Sequence, residues 1–485
     1  MTRKAREKEG TEVRGLETKK EKFDLIVIGS GPAGYLSTIL GARKGLSVAI
    51  VEKAELGGTC LNRGCIPTKA LLREAALWEN FMGAKWGKER EKASQAFQSA
   101  MERKSGAVNQ VVSGLRSLLG QKGITVIEGE ASFVALRKLS VKREGSSDTT
   151  IESDRILIAT GALASEIPGL KRDGKWVMTT DDVLKMDSLP SEITIVGGGK
   201  RGIEYACFFR AFGTNVTLIE KGDRILPKMD REISIRYKGI LAKKGIKVLT
   251  GAEVVESSLT GKEGFVTLRI LQKGKEERLQ SPKVLLAGPR HGNLAGLGLE
   301  EAAISSRDGF ITVDQRMKTS VSGVYAAGDV TGRGFMAHKA FYEARVALAN
   351  LRGGSAEVDP RLAPICLYSQ PEAASIGLTE EEARQKHGEL KVGKFPFMGC
   401  GRAVAEGETE GMVKILSEPK YGEILGVHIL GAGATEMIHL GMMAMKAEMG
   451  IEELKEMLFA HPTLSEAFYE AALDTDNEAI HIVKA

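Results

Sequence analysis

The stretch LIVIGSGPAG, residues 25–34, decides the fold of the first part of the chain. An apolar run over residues 23–28 ends at Gly29, which predicts a buried parallel strand. Residues 32–45 predict a helix, and residues 47–52 predict a second strand. This strand–helix–strand order is typical of an α/β fold with a parallel sheet.

The glycines of this stretch have separate roles in such a unit. Gly29 permits the tight turn, Gly31 lets a pyrophosphate approach the backbone, and Gly34 lets the helix pack close to the strand. The helix N-terminus offers free N–H groups and the positive end of its dipole to the phosphates. Glu52, at the end of the second strand, can accept hydrogen bonds from a ribose. We therefore interpret this segment as a dinucleotide-binding unit.

The same pattern recurs in a second unit. Its strand, helix and strand are predicted over residues 193–196, 202–212 and 215–220. Its loop glycines and closing acid are Gly197, Gly199, Gly202 and Glu220. Both units span 23 positions from the first glycine to the acid. The carboxylate of Glu220 can bond a ribose 2′-hydroxyl but repels a 2′-phosphate, so it favours NAD over NADP, although Lys221 follows directly.

The remaining segments indicate a third domain. At roughly 150 residues per domain, a chain of 485 residues has room for about three. A long polar helical stretch over residues 71–119 and a strand-rich segment ending at residues 157–161 separate the two dinucleotide units. After about Pro360, strand-like pieces such as residues 423–430 alternate with helices such as residues 434–448. The expected fold is α/β, with two Rossmann-type dinucleotide-binding domains and a carboxy-terminal α+β domain.

Composition narrows the classes of partner. The net charge is only +5 and aromatic residues make up 5%, which gives no support for a nucleic-acid partner. Residues 1–22 mix Lys and Arg with Glu, which predicts a disordered extension and is unlike an acid-poor transit peptide. No signal-peptide core or membrane-spanning apolar stretch is present in the sequence. We expect a soluble, cytoplasmic protein without a membrane partner.

Cys60 and Cys65 form the most informative cysteine pair. Five steps along a regular helix rise about 7.5 Å, slightly beyond disulfide reach, so the segment is expected to bend at Gly64 and Pro67. The pair alone fits a structural bridge or half of a metal site, but no second Cys/His pair has zinc spacing. A position just after a dinucleotide strand favours a redox-active pair.

The other three cysteines, Cys207, Cys366 and Cys400, are isolated in sequence. We interpret them as small buried hydrophobic residues.

Several ordered motifs resemble those of dihydrolipoamide dehydrogenases, which belong to the class I pyridine nucleotide-disulfide oxidoreductase family. The motifs are GGTCLNRGCIPTKALL at residues 57–72, ILIATGA at 156–162, VYAAGDVTG at 324–332, AHKA at 337–340 and HPTLSEA at 461–467. The resemblance extends from about residue 23 to the end of the chain. It implies FAD and NAD as cofactors and the oxidation of protein-bound dihydrolipoamide to lipoamide.

The resemblance also implies catalytic roles. Cys60 would be the interchange thiol that exchanges with substrate sulfur, and Cys65 would face the flavin. His461 would be the general base, oriented by Glu466. This chemistry fits the residue types, because a thiolate is the nucleophile and a histidine can exchange a proton near neutral pH.

Further positions would hold the cofactors. Lys69 and Glu204 would pair near the flavin ring. Asp329 would bind the ribityl chain, and Ala131 and Ala337 would contact FAD through the backbone. Val254 and Gly288 would border the NAD site.

The resemblance implies a homodimer, because in the family the histidine comes from the partner subunit. Its partners would be lipoyl domains of 2-oxoacid dehydrogenase or glycine cleavage complexes. The expected segments are an extension (1–22), the first part of an FAD-binding domain (23–165), an NAD-binding domain (166–295), a second FAD-binding segment (296–358) and a dimerisation domain (359–485).

Two features depart from the family pattern. Lys200 and Arg201 occupy positions that are usually apolar or aromatic. As cations at a helix N-terminus they oppose the helix dipole, but they can attract a pyrophosphate. Lys200 can also compete with Lys69 for Glu204, which lies four residues later. The loop at residues 288–293 also differs from the usual sequence beside the NAD site.

Two rival functions remain open at this point. One is a low-molecular-weight disulfide reductase of the glutathione type that uses NAD(P)H; Glu220 and Leu464 argue against it. The other is a redox-inactive subunit that keeps FAD as a structural element; the intact set of Cys60, Cys65 and His461 argues against that.

Overall fold

The computed structural model describes residues 21–83, 89–143, 145, 147–260 and 264–482. The predicted extension over residues 1–22 lies almost entirely outside them. The chain forms two compact units. The first contains Met1–Ile66, Gly106–Leu163 and Arg290–Val358, and the second contains Pro67–Ser105, Ala164–Pro289 and Asp359–Ala485. In the described part of the chain, no helix is both long and apolar enough to cross a bilayer.

The first unit is built on a five-stranded parallel sheet. Its strands, in spatial order, are Val324–Ala326, Ile156–Ile158, Leu25–Ile28, Val48–Glu52 and Ile124–Glu128. Every residue of Leu25–Ile28 is buried, as expected for the central strand of a parallel sheet. The helix Pro32–Arg43 follows this strand, which confirms the predicted strand–helix–strand unit.

Smaller elements complete the first unit. One antiparallel sheet contains the strands Glu130–Ala135, Lys138–Lys142 and Thr149–Glu152. There are also two two-stranded sheets. The first pairs Ala162–Ala164 with Arg290–Gly292, and the second pairs Ser306–Arg307 with Phe310–Ile311. Its helices include Gly58–Asn62 and Ala337–Leu351. The predicted helical stretch over residues 71–119 falls on two helices, Cys65–Met82 and Arg90–Leu119, and residues 84–88 between them lie outside the described ranges. Both helices are divided between the units, because residues 67–105 belong to the second unit.

The second unit contains another five-stranded parallel sheet. Its strands, in spatial order, are Lys247–Thr250, Asn215–Glu220, Glu192–Val196, Val284–Leu286 and Val177–Thr179. Its helices are Thr180–Val183, Lys200–Ala211 and Arg231–Lys243. The helix Lys200–Ala211 begins two residues before its predicted start, because Gly199 with its extended backbone serves as the N-cap.

This unit also contains an antiparallel sheet, whose strands are Ala252–Thr260, Phe265–Gln272 and Lys275–Ser281.

The carboxy-terminal part forms a mixed α+β arrangement, as predicted. Its antiparallel strands, in spatial order, are Ile365–Leu367, Ala373–Gly377, Ile424–Leu430, Met412–Ser417 and Lys391–Pro396. Its helices are Glu380–His387, Gly401–Glu406, Ala434–Lys446, Ile451–Lys455 and Glu466–Asp474.

A buried charge cluster ties elements of the second unit together. The ammonium of Lys414, 1% exposed, lies 2.8 Å from Asp230 Oδ1 and 2.7 Å from Glu380 Oε2. Nearby, His428 Nε2 donates to the Leu378 carbonyl at 3.0 Å, so its Nδ1 accepts from the Ser375 hydroxyl. Burial lowers the pKa of His428 to about 4, so this imidazole is neutral at pH 7. Glu232 Oε2 lies 3.5 Å from the same ammonium, so this buried cation faces three carboxylates and should be costly to remove.

Replacing Lys414 with methionine should lower the free energy of unfolding by about 3–5 kcal/mol, because Asp230 and Glu380 would lose their shared cation. Urea denaturation at pH 7 measures this change. The matched control is Lys243→Met, which removes an exposed ion pair of 3.1 Å with Glu410 and should cost less than about 1 kcal/mol. Equal losses in the two variants would contradict a stabilising role for the buried cluster.

Candidate active site

Cys60 and Cys65 lie on two consecutive helices with a sharp bend between them. Cys60 belongs to Gly58–Asn62, and Cys65 is the first residue of Cys65–Met82. At Gly64, a side-chain Cβ would lie 3.5 Å from the Cys60 Cα, so the chain folds back closely here. The bend predicted at Gly64 is therefore present. Pro67 lies instead in the first turn of the second helix, where its missing N–H costs no hydrogen bond.

The surroundings of the two cysteines suit thiol chemistry. Both side chains are partly buried thiols in this structure. Cys60 packs against an apolar cluster that includes Ile39 and Leu61. Cys65 starts its helix, where the positive end of the dipole favours a thiolate.

Tyr35 was missed by the sequence analysis. It lies in the helix Pro32–Arg43, and its ring meets Phe341 edge-on at 5.7 Å between centroids. Burial, with the neighbouring Cys60 and Cys65, raises the pKa of Tyr35 to about 12. Its hydroxyl therefore stays protonated beside the thiols. The one local sequence feature that could have drawn attention to Tyr35 is its position directly after Gly34, on the first helical turn after the glycine loop.

The first glycine loop has the geometry of a dinucleotide cradle. A side chain at Gly34 would clash with the carbonyl oxygen of Gly29, whereas a side chain at Gly31 would meet nothing within 4 Å. Glu52 Oε2 accepts from the Ser30 N–H at 2.8 Å, which fixes the carboxylate beside the loop. The Thr160 hydroxyl is buried near the loop and lacks a hydrogen-bond partner among the described residues. Open space at Gly31 and an orphaned hydroxyl fit a bound dinucleotide such as FAD.

The second loop repeats this geometry in the second unit. A side chain at Gly202 would clash with the carbonyl oxygen of Gly197, and a side chain at Gly199 would again meet open space. Glu220 accepts from the Gly198 N–H at 2.6 Å and from the Gly222 N–H at 2.7 Å. The acid is held at the end of its strand, where a ribose hydroxyl can still reach its remaining lone pairs.

The other predicted cofactor residues have clear positions. In the first unit, Ala131 is buried in the strand Glu130–Ala135, Asp329 begins a short 3₁₀ turn, and Ala337 begins the helix Ala337–Leu351. In the second unit, Val254 is buried beside a bulge in Ala252–Thr260, and Gly288 follows the strand Val284–Leu286. Their roles as cofactor contacts stay predictions.

Lys69 and Glu204 form the ion pair that the resemblance implied. The Lys69 ammonium lies 3.0 and 3.1 Å from the two oxygens of Glu204, whose side chain is buried. The Tyr368 N–H donates to Glu204 Oε1 at 3.2 Å, and the Lys69 ammonium stands 4.4 Å from the Tyr368 ring centroid. Glu204 is thus paired with Lys69, not with Lys200. Tyr368 lies too far along the chain for any local pattern to have revealed it.

His461 and Glu466 also meet as predicted. His461 Nδ1 lies 2.8 Å from Glu466 Oε1, and the other carboxylate oxygen accepts from the Thr463 N–H at 2.8 Å. Burial raises the pKa of Glu466, but the Thr463 N–H and His461 outweigh it, so that pKa lies below its usual value. A carboxylate on Nδ1 leaves Nε2 as a proton acceptor, and the imidazole is exposed.

The predicted residues divide between the two units. The cysteine pair and the first loop belong to the first unit, whereas the second loop, the Lys69–Glu204 pair and the His461–Glu466 pair belong to the second. In the second unit, both expected ion pairs are in contact. Cys207, Cys366 and Cys400 are buried, as predicted.

Comparison with known proteins adds independent information. The family model described as "Pyridine nucleotide-disulphide oxidoreductase" matches residues 23–344, and the model of that family's dimerisation domain matches residues 363–472. The family contains FAD and uses a pyridine nucleotide, and the dimerisation domain supports a homodimer. These matches confirm the expected fold class, an FAD and pyridine nucleotide requirement, and an enzyme of the oxidoreductase class.

Individual relatives agree with the family models. A Bacillus subtilis protein named dihydrolipoyl dehydrogenase is 40% identical over 470 residues, covering 95% of this chain and 99% of that protein. A protein of the same name from Thermus scotoductus is 38% identical, covering 95% and 99%. Among solved structures, a copper(II) complex of the HOCl-induced flavoprotein disulfide reductase RclA from Escherichia coli is 29% identical, with a TM-score of 0.83, covering 93% and 99%. The chain therefore belongs to the pyridine nucleotide-disulfide oxidoreductase family.

Proposed function

We propose that this protein is an NAD-dependent dihydrolipoyl dehydrogenase that oxidises protein-bound dihydrolipoyl groups. The observation that carries the proposal is the placement of Cys60 and Cys65 on two consecutive helices, separated by a bend at Gly64 whose backbone lies close to Cys60. A relative named dihydrolipoyl dehydrogenase, which is 40% identical over nearly the whole chain, supports this substrate class.

The chemistry balances over two half-reactions. The substrate dithiol loses two electrons and two protons as its disulfide forms, while the Cys60–Cys65 disulfide breaks to give two thiols. Bound FAD supplies a two-electron carrier between the thiols and the nicotinamide. Re-forming the Cys60–Cys65 bond sends a hydride equivalent to NAD⁺ and releases one proton.

The chain's own groups move the protons. Cys60 exchanges with substrate sulfur. The positive end of the helix that begins at Cys65 stabilises the negative charge left on the Cys65 sulfur. The Nε2 of His461 takes the dithiol proton, because Glu466 keeps the other ring nitrogen protonated. Tyr35 offers a protonated hydroxyl beside both cysteines.

Further partners follow from the same proposal. The natural substrates are lipoyl domains of 2-oxoacid dehydrogenase or glycine cleavage complexes. Each subunit of the homodimer would supply His461 to the cysteines of its partner subunit. The dimerisation-domain match supports the homodimer.

A second candidate is a low-molecular-weight disulfide reductase, favoured by the likeness to the Escherichia coli disulfide reductase. Two steady-state assays of the purified holoenzyme separate the candidates: dihydrolipoamide with NAD⁺, and glutathione disulfide with NADPH. The proposal expects turnover in the first and at most a trace in the second. The reverse pattern would establish the second candidate, and no turnover in either would leave only an inactive flavin-binding role.

Serine at Cys60 or at Cys65 should abolish dihydrolipoamide oxidation while FAD stays bound, because each variant lacks one sulfur of the redox pair. Activity and flavin absorbance are measured on the same preparation. Cys207→Ala is the control, since this cysteine is buried in the second unit and should leave activity nearly unchanged. Near-native activity in either serine variant would exclude the redox role. Loss of both folding and FAD would indicate a structural bridge.

Replacing His461 with glutamine should lower dihydrolipoamide oxidation by about 10²–10⁴-fold, the usual contribution of general acid–base catalysis. The variant should still bind FAD and pass electrons from NADH to a quinone or dye, because that route needs no base at His461. Glu466→Gln should show a milder loss, since Glu466 only orients the imidazole. A parallel fall of both activities with FAD content would make His461 a packing residue instead.

The unaltered protein should use NAD⁺ at least tenfold more efficiently than NADP⁺ in kcat/KM, about 1.4 kcal/mol. The reason is the carboxylate of Glu220, which repels a 2′-phosphate. Glu220→Gln should reduce this preference, whereas the control Glu253→Gln, which alters the exposed partner of Lys221, should not. Equal efficiency with both dinucleotides would refute the role given to Glu220.

A further inference from the structure

Lys200 lies beside an ion pair that is already neutral. Glu204, 3% exposed, gives both oxygens to Lys69 and one also to the Tyr368 N–H. Lys200 is partly buried at the start of the same helix and makes no ion pair among the described residues. Lys69, Glu204 and Lys200 together therefore carry one net positive charge.

The groups that face Lys200 come from three elements. Glu204 and Arg201 share its helix, Lys69 belongs to Cys65–Met82, and Cys366 belongs to Ile365–Leu367. Burial lowers the pKa of Lys200, Glu204 opposes this effect, and Lys69 adds to it. A further positive charge at this place is therefore unfavourable.

The helix Lys200–Ala211 also contacts the flank of the sheet away from Glu220. Glu220 ends the strand on one flank of Glu192–Val196, and Val284–Leu286 and Val177–Thr179 lie on the other flank. Tyr205, adjacent to Glu204, reaches the carbonyl of Thr180, directly after Val177–Thr179, at 3.5 Å. If Glu220 holds the adenosine ribose and the glycine loop holds the pyrophosphate, the nicotinamide half must extend toward this flank.

The two redox forms of the nicotinamide differ in charge. The oxidised ring is a cation, whereas the reduced ring is uncharged. An ammonium several ångströms away repels only the oxidised ring, and in a partly buried site this repulsion is worth about five- to tenfold in affinity.

We propose that Lys200 makes the dinucleotide site discriminate against the oxidised nicotinamide and in favour of the reduced one. This inference rests on the proposed function, because it takes the second glycine loop as the NAD site. It assigns a specificity role to a residue where relatives usually carry an apolar or aromatic side chain. The expected consequence is that NAD⁺ binds more weakly than it would without the Lys200 charge, whereas the affinity for NADH is unchanged.

Isothermal titration calorimetry on the oxidised, FAD-loaded protein tests the proposal without turnover. The two ligands are NAD⁺ and 1,4,5,6-tetrahydro-NAD, whose ring is uncharged and cannot donate a hydride. The variants are Lys200→Met and Lys200→Gln, which remove the charge, and Lys200→Arg, which keeps it. Two neutral variants are used so that a packing defect in one does not decide the result, and flavin content checks folding.

The expected result is that both neutral variants bind NAD⁺ about five- to tenfold more tightly than the unaltered protein, because the repulsion is gone. Their affinity for the tetrahydro analogue should change less than about twofold, and Lys200→Arg should resemble the unaltered protein.

Other outcomes would overturn the proposal. Equal weakening of both ligands in the neutral variants would mean that Lys200 binds the pyrophosphate instead. Unchanged affinity for both would make it a surface charge without a role. Failure of both ligands to bind the unaltered protein would refute the dinucleotide site itself and, with it, the proposed function.

Discussion

The close approach of two glycines in each loop is the constraint on which both dinucleotide units depend. Gly34 lies against the Gly29 carbonyl, and Gly202 lies against the Gly197 carbonyl, with no room for a side chain. This contact lets each helix begin directly after its strand, so that its N–H groups point at the loop. Glu52 and Glu220 then hydrogen-bond to the loop backbone and fix the end of the neighbouring strand.

The reactive groups depend on local geometry within their own units. Cys60 and Cys65 lie on separate helices because the helix breaks at Gly64, and the new helix start provides a positive dipole for Cys65. The Nε2 atom of His461 is left as the proton acceptor, because Glu466 begins the next helix and binds Nδ1. In both cases a helix terminus, not the helix interior, positions the chemistry.

Sequence alone predicted the features that local rules determine. These features are the two strand–helix–strand units, the carboxy-terminal α+β arrangement and the bend at Gly64, and all of them rest on residues close together in the chain. The His461–Glu466 and Lys69–Glu204 contacts were expected only from the family resemblance. The features it missed join distant segments. Lys414 and Asp230 are separated by 184 positions and Glu204 and Tyr368 by 164, and no periodicity or spacing relates such residues. Tyr35 was near in sequence to a recognised loop, yet its meeting with the cysteines depends on how the chain returns after the second strand.

The central claim is that Cys60 and Cys65 form a redox couple that exchanges two electrons with a pyridine nucleotide. Anaerobic alkylation followed by peptide mass spectrometry tests this directly. The oxidised holoenzyme should show no label on either cysteine, and one equivalent of NADH should make both alkylate together, while Cys207, Cys366 and Cys400 stay unchanged. Identical labelling of Cys60 and Cys65 before and after NADH would contradict the account.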